Sequence, residues 1–245
     1  MDILTIILLS LAIIFALAGS ILFFVQKKIF YTYSSFLVFI FSSILLIEHW
    51  IHFSVPPFIS SLETRIFFIG ICSLLGFVVT FWTKDSIYAI VSNLLSLIIL
   101  ISCFFTTFAF SQTFPPALQS KWFLPHVFIY IFSYALLGIS FVLSILSFFK
   151  KDYSFQFIIN KIGFLGLLLG MLFGALWAKE IWGNFWTWDV KETFALLTCI
   201  CYAIALKNNA NEKFHIFNIL GFLFILFTWF GVQYIPATQN LHIYG

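Results

Sequence analysis

Residues 160–178 read NKIGFLGLLLGMLFGALWA and contain a single charged side chain, Lys161. A run of about 20 apolar residues is long enough to cross the hydrocarbon core of a bilayer as an α-helix. The whole chain has the same character, since 62% of its 245 residues are hydrophobic and only 9% are charged. Soluble domains average roughly 25% charged residues. The sequence therefore predicts an all-α, polytopic membrane protein.

Eight apolar runs predict eight spans, at about 3–25, 32–51, 66–82, 87–110, 125–149, 160–178, 193–206 and 216–235. The first run is too long for the core of a signal peptide and follows an acid, so we expect a retained helix. Neither an internal repeat nor a low-complexity linker divides the chain. We therefore expect one integral membrane domain over residues 1–245. The net charge of +3 is too small to indicate a nucleic-acid partner.

Basic residues divide unevenly between the two sides that eight spans define. One side carries eight of them: Lys27, Lys28, Lys84, Lys150, Lys151, Lys161, Lys207 and Lys213. The other side carries four: Arg65, Lys121, Lys179 and Lys191. An excess of Lys and Arg marks cytoplasmic loops, so the first side is predicted to be cytoplasmic. Both termini and the loops 52–65, 111–124, 179–192 and 236–245 are then expected on the outer side.

The predicted outer loop after the sixth span contains WGNFWTWDVKET, residues 182–193. One interpretation is an interfacial belt, because Trp is common where a membrane meets water. The other is a platform for a flat ligand, formed by Trp182, Phe185, Trp186 and Trp188. Trp182 and Trp186 are four residues apart, so a helical turn would place both on one face. The residues alone leave both interpretations open.

The end of this stretch has the pattern of a helix start. Asp189 and Glu192 form an Asp-x-x-Glu pair before an apolar run, which predicts that Asp189 caps the seventh helix and Glu192 reaches back to it. Lys179 and Lys191 flank the aromatic residues. They are either solvated charges at the rim or partners for carboxylates of a ligand.

Two histidines, His126 and His242, lie in predicted outer segments beside aromatic residues. Each alone is ordinary at an interface, but neutral imidazole is also a common metal ligand. One histidine from each of two segments could bind the two axial positions of a haem iron. Three further histidines, His49, His52 and His215, are possible secondary sites. The four cysteines lie within apolar runs and are expected to be buried, apolar side chains rather than a redox pair.

The stretch WGNFWTWDVKET resembles the tryptophan-rich WWD signature of the haem-handling proteins of cytochrome c biogenesis, which the CcsA (ResC), CcmC and CcmF families share. LQSKWFLPH, residues 118–126, and FGVQYIPATQNLHIYG, residues 230–245, are similar to two further stretches of the CcsA family. HFSVPPFISSLETRIFF, residues 52–68, is a looser match to a third. The resemblance is strongest over residues 118–245.

The resemblance to the CcsA family implies a haem-presenting subunit of a cytochrome c synthase. Such a subunit works with a CcsB (ResB) membrane protein and holds haem b at the outer face. There the haem vinyl groups join the thiols of a Cys-x-x-Cys-His motif in an apocytochrome c. It further implies that His126 and His242 are the axial ligands and that the platform lies within 177–193, with Trp186, Trp188 and Asp189 at its centre. The membrane would be a bacterial cytoplasmic membrane or a thylakoid membrane.

Three departures from the CcsA pattern are present. Val190 follows Asp189 where the family usually has Pro, and LHIYG stands where it has LHSYG. Lys207 lies near the place of a family histidine that belongs to a membrane-embedded haem site, and His215 is a possible substitute for it. Two other functions stay open: a haem chaperone or exporter of the CcmC type without ligation activity, and a structural membrane subunit.

Overall fold

The computed structural model describes residues 10–18, 28–103, 114–149, 153, 155–208 and 211–231. Within them the chain forms eight α-helices. In chain order these are α1 (10–18), α2 (Lys28–Phe53), α3 (Ser61–Thr83), α4 (Ile87–Cys103), α5 (Phe123–Ser147), α6 (Gln156–Trp182), α7 (Val190–Lys207) and α8 (Glu212–Leu226). A 3₁₀ turn at Pro116–Leu118 precedes α5, and a π-helical turn at Phe227–Gly231 continues α8. The prediction of an all-α chain is confirmed.

Each α-helix coincides with one predicted apolar run. Five helical segments are long and apolar enough to cross a membrane: Phe30–Phe53, Ser61–Thr83, Phe123–Ser147, Gln156–Trp182 and Glu212–Gly231. α4 is apolar but has 17 residues in the described part of the chain, and α7 carries three charged residues, Lys191, Glu192 and Lys207. The chain is therefore a helical membrane protein. The exact number of spans and the side on which each loop lies stay predictions.

Local signals in the sequence explain where several helices begin and end. α3 begins with a capping box in which Ser60 and Glu63 exchange hydrogen bonds, and Asn211 caps α8 by accepting from the amide of Phe214. α6 ends at Gly183, which has a φ of 82° that glycine adopts without a steric penalty. The side chains of Ser60, Glu63 and Asn211 satisfy backbone groups that a helix end leaves without a partner.

The described chain divides into two compact units, residues 1–119 and residues 120–245. In the first unit, α2, α3 and α4 pack against one another, and hydrogen bonds between polar side chains join them. The Asn93 amide donates to Ser34 Oγ and to the Tyr31 carbonyl, and Ser73 and Ser96 contact at 2.9 Å. Such bonds satisfy polar groups that lipid cannot. One integral membrane domain over residues 1–245 stays a prediction.

The second unit depends on an antiparallel contact between α5 and α6. Four glycines along one side of α6 each face an α5 side chain. In order, Gly163 faces Leu137, Gly166 faces Ser133, Gly170 faces Tyr130 and Gly174 faces His126. A Cβ atom on Gly163 would lie 2.6 Å from Leu137 Cδ2, so the two backbones approach more closely than any larger residue permits.

We give the name tryptophan end to the end of this unit where α5 and α7 begin and α6 and α8 end. The opposite end carries a buried polar network. The amides of Gln156 and Asn218 donate to Ser140 and Ser144 at 2.7–3.3 Å, and His215 Nδ1 lies 3.2 Å from Ser144 Oγ. The network joins the first turns of α6 and α8 to the last turns of α5.

The close approach of α5 and α6 gives a stability prediction. Gly163→Ala inserts a methyl group against Leu137, which is fully buried and has no space to move into. Overpacking of this kind costs about 1–3 kcal/mol, so we expect the thermal midpoint in detergent, followed by circular dichroism, to fall. Leu165→Ala is the control, because Leu165 is an exposed residue of the same helix. Equal midpoints for the two variants would contradict the glycine contact.

Candidate functional site

The site at the tryptophan end is organised around His126, in the first turn of α5. Its Nδ1 atom lies 2.8 Å from the carbonyl oxygen of Gly170. A carbonyl oxygen only accepts, so Nδ1 carries the proton and Nε2 of the neutral ring keeps its lone pair. In metal-binding histidines the N–H of the other ring nitrogen typically donates a hydrogen bond to a carbonyl oxygen in this way. His126 is thus held in the tautomer that can bind iron through Nε2.

Gly174 makes room for this ring. A Cβ atom at position 174 would lie 2.7 Å from Cε1 and 2.8 Å from Nδ1 of His126. Tyr130 contacts the imidazole edge-on from one turn further along α5, with ring centroids 4.8 Å apart. The ring is therefore oriented by two residues of α6 and by one of its own helix.

Two tryptophans in the last turns of α6, Trp177 and Trp182, extend the row of rings that begins at His126. Trp177 is 2% exposed, and its ring lies 5.6 Å from His126 and 5.0 Å from Trp182, between centroids. Phe123 packs on Trp177 at 5.4 Å. The sixth span was predicted to end at residue 178, but α6 continues to Trp182, which was expected in the outer loop. Together Phe123, His126, Trp177 and Trp182 form a helical aromatic cluster.

The remaining platform residues lie in the loop 183–189. A helical turn that would place Trp182 and Trp186 on one face does not form, because Gly183 adopts the left-handed conformation and ends α6. Trp186 instead packs edge-on against Trp188, with centroids 5.7 Å apart. The indole nitrogen of Trp186 is buried and has no hydrogen-bond partner in the described part of the chain. Phe185 and Trp188 are largely exposed. The predicted platform thus consists of two groups of rings.

The cap of α7 is confirmed. Asp189 Oδ1 accepts from the backbone N–H of Glu192 at 2.8 Å, and Glu192 Oε2 accepts from the backbone N–H of Asp189 at 3.3 Å. Both carboxyl groups are buried. Asp189 therefore fixes the point at which the loop becomes a helix.

The two lysines flank the aromatic rings as expected. Lys179 donates to the carbonyl of Gly183 at 2.7 Å and lies 5.4 Å from the ring centre of Phe185. Lys191 lies in the first turn of α7, before the apolar run 193–206. Burial lowers the pKa of its ammonium group, and the nearby carboxylate of Asp189 partly opposes this effect. An anionic ligand beside Lys191 would favour its charged form.

The other histidines lie in different surroundings. In the first unit His49 is buried, with Nε2 3.1 Å from Glu63 Oε1, while His52 is exposed at the end of α2. His215 is in the polar network at the opposite end of the second unit. There Ser144 Oγ accepts two amide N–H groups, so its own proton is left to donate to Nδ1 of His215. Nδ1 of His215 is therefore a hydrogen-bond acceptor within the polar network, which is a structural role.

His242 lies outside the described residues, and the axial pair stays a prediction. The four cysteines are buried free thiols, as the apolar runs predict.

Sequence reasoning missed the α6 residues that orient His126. The spacing of Gly166, Gly170 and Gly174 at intervals of four was a visible signal for a helix packing face. Its register against His126 was not visible. It also missed Glu180, which accepts from Ser120 Oγ at 2.8 Å and so ties the segment before α5 to the end of α6.

The fold and the site define a helical membrane protein with a histidine and two groups of aromatic rings at one end of a helix bundle. Residues 59–239 match the family described as Cytochrome C assembly protein, which is more than half of the chain. The chain belongs to this family.

Similar proteins include the protein named Cytochrome c biogenesis protein CcsA in several organisms. The one from Cuscuta exaltata is 31% identical over 82% of this chain and 80% of its own length. The one from Chlamydomonas reinhardtii is 40% identical over 53% of this chain, but the match covers 42% of its own length. For Trachelium caeruleum the identity is 33% over 53% of this chain and 58% of the relative. The resemblance to the CcsA family is thus confirmed.

The orientation of His126 is testable without any ligand. Gly174→Ala should force the ring away from α6, because the new methyl would lie within 2.8 Å of it, and break the bond to the Gly170 carbonyl. In the ¹⁵N NMR spectrum of histidine-labelled protein, the His126 signal is identified as the one that is absent in His126→Ala. In Gly174→Ala this signal should no longer show the chemical shifts of a ring protonated at Nδ1. Gly163→Ala is the matched control, because it crowds Leu137 instead. The same tautomer in both variants would refute this account of Gly174.

Proposed function

We propose that this chain is the haem-presenting subunit of a cytochrome c synthase. It binds haem b at the tryptophan end and presents it for covalent attachment to Cys-x-x-Cys-His apocytochromes c. The observation that carries the proposal is the hydrogen bond from His126 Nδ1 to the Gly170 carbonyl, because it leaves Nε2 as an iron ligand. Family membership supports the same function, since proteins named for cytochrome c biogenesis are its relatives.

His126 provides one axial ligand in this proposal, and His242 provides the other from the C-terminal segment. Two axial histidines would fill the coordination sphere of the iron and leave the edge of the porphyrin accessible. The match of residues 230–245 to a CcsA stretch supports the assignment of His242.

The aromatic rings and the lysines suit the remaining parts of haem. Exposed rings of Phe185 and Trp188 offer apolar surface to the flat macrocycle. The buried N–H of Trp186 is a donor that a carboxylate could satisfy. A propionate beside Lys191 would stabilise the charged form of its ammonium group, because it would offset the cost of burying that group.

The chain's own contribution to the reaction is to hold one reactant in place. When bound, haem supplies two vinyl groups, and in each attachment the S–H bond of a cysteine adds across the vinyl double bond. One C–S and one C–H bond form, and no atom is lost. The thiols come from the apocytochrome, since all four cysteines here are buried. Holding reactants in a suitable geometry lowers a barrier by roughly 7–11 kcal/mol.

The proposal includes a location and a partner. The tryptophan end would face the extracytoplasmic side of a bacterial cytoplasmic membrane or the lumen of a thylakoid, with both termini on that side. A membrane protein of the CcsB (ResB) type would complete the synthase. The charge distribution between the predicted loops supports this orientation.

The axial assignment predicts a spectroscopic outcome. The purified protein should carry haem with the absorption bands of bis-histidine ligation. His126→Ala combined with His242→Ala should abolish or shift these bands, because both iron ligands are removed. The pair His52→Ala and His215→Ala serves as a control and should leave the bands in place. Bands that are the same in all samples would exclude His126 and His242 as ligands.

The two parts of the tryptophan stretch should respond differently to substitution. Asp189→Ala removes the α7 cap, which typically costs about 0.5–2 kcal/mol, and should act through the order of the loop. Trp186→Ala removes a ring and a donor and should act through haem affinity. Hydrogen exchange at 187–193 and titration with ferric haem separate the effects. Equal haem retention in both variants, with equal exchange, would contradict the division.

A further inference from the structure

Trp188 has an unusual backbone conformation. Its φ is 60°, in the left-handed region, which bulky residues seldom adopt. Only two other non-glycine residues in the described part of the chain have a positive φ, Ser54 and Lys84. Lys84 has an ordinary reason, since it is the C-cap of α3. Trp188 directly precedes a helix N-cap, where an extended backbone would suffice. The conformation is therefore imposed by its surroundings.

The carboxylate of Glu192 binds the residues on both sides of Trp188. Oε2 accepts from the backbone N–H of Thr187 at 2.7 Å, from the Thr187 hydroxyl at 3.2 Å and from the backbone N–H of Asp189 at 3.3 Å. These donors lie on both sides of Trp188. A capping box requires only the bond to Asp189, and the bond to Thr187 is the shorter of the two backbone bonds. Glu192 thus holds the residues on either side of Trp188 to one oxygen atom.

The capping box of α3 gives an internal comparison. There Glu63 Oε2 accepts from two consecutive amides, Ile59 at 2.8 Å and Ser60 at 2.9 Å. Ile59 keeps a negative φ. In α7 the carboxylate instead bypasses the residue before the N-cap and binds the next one back. A positive φ at Trp188 accompanies this different pattern, so capping alone does not explain the strain.

The result of the strain is the position of the Trp188 ring. The side chain is 68% exposed and stands edge-on to Trp186. Glycine would adopt the same backbone with less strain, but it would present no ring. Strain that the surroundings maintain is a mark of a functional position.

We propose that Glu192 is a positioning residue that holds Trp188 in a strained conformation so that its indole lies against the face of a flat, apolar ligand. The inference rests on the proposed function, in which that ligand is haem. Glu192 does not touch the ligand. It acts on binding through Trp188, and this separates it from a residue that only stabilises α7.

The first measurement needs no ligand. Hydrogen exchange of the purified protein should show protected amides at Thr187 and Asp189. Glu192→Ala should accelerate hydrogen exchange at the Thr187 amide by about tenfold, because the loss of one hydrogen bond to a charged group corresponds to a factor of about this size. Glu192→Gln retains an acceptor oxygen and should restore most of the protection. Unchanged exchange at Thr187 in Glu192→Ala would contradict the role of the hydrogen bond between Glu192 and the Thr187 amide.

The second measurement is titration of the same proteins with ferric haem. Glu192→Ala and Trp188→Gly should each weaken binding by about tenfold, and their combination should weaken it little further, because residues that act as one unit are not additive. Glu192→Gln should bind close to wild type. Trp188→Gly should keep or raise the thermal midpoint, because the strain is relieved. Additive losses in the double variant would show that Glu192 acts separately and would overturn the inference.

The two proposals fail in different ways. A wild-type protein that binds no ferric haem overturns the haem function, and with it the ligand named for Trp188. A wild-type protein that binds haem while Glu192→Ala binds equally well overturns only the positioning role. Should Glu192→Ala fail to fold, Glu192→Gln and Trp188→Gly decide, because the inference requires near-normal binding in the first and weakened binding in the second.

Discussion

The close approach of α5 and α6 is the constraint on which the second unit depends. Between apolar helices in a membrane there is no hydrophobic driving force, so packing and hydrogen bonds decide how they associate. Four glycines of α6 accept four successive side chains of α5 in one antiparallel register. The last of these side chains is His126, and the carbonyl that fixes its tautomer belongs to Gly170 in the same row. Packing of the helices and preparation of the proposed iron ligand are therefore one structural feature.

Buried carboxylates hold the conformation of two loops, as the glycines of α6 set the packing of α5 against α6. In each unit a glutamate in the first turn of a helix binds backbone amides of the preceding loop, Glu63 before α3 and Glu192 before α7. A charged acceptor forms stronger hydrogen bonds than a neutral one, especially where water is excluded. Such an acceptor can hold a loop in a conformation that its residues would not adopt alone. At Trp188 the held conformation carries an exposed indole, which connects loop energetics to the proposed ligand surface.

Local signals account for the parts of the site that were predictable. Apolar runs gave the helices, and Asp189 with Glu192 gave the start of α7, because capping involves residues only three apart. The path of the chain after Trp182 did not follow from the spacing of the tryptophans. A helical turn would have placed Trp182 and Trp186 on one face, whereas Gly183 ended the helix and separated them. A glycine before an aromatic run is compatible with either path, and packing of Trp182 on Trp177 distinguishes them only in three dimensions.

By itself the sequence determined the helical membrane class, the approximate helix ends, the cap at Asp189 and the candidate residues of the site. Each of these depends on composition or on neighbours within one turn of chain. Only the tertiary structure decided which rings meet His126, which nitrogen of that ring keeps its lone pair, and how Trp188 is held. These properties depend on contacts between α5 and α6, whose facing residues lie more than 25 positions apart in the chain, and on the exact path of one loop. No local pattern encodes the register of two helices, because it follows from the fit of glycines against side chains along their whole length.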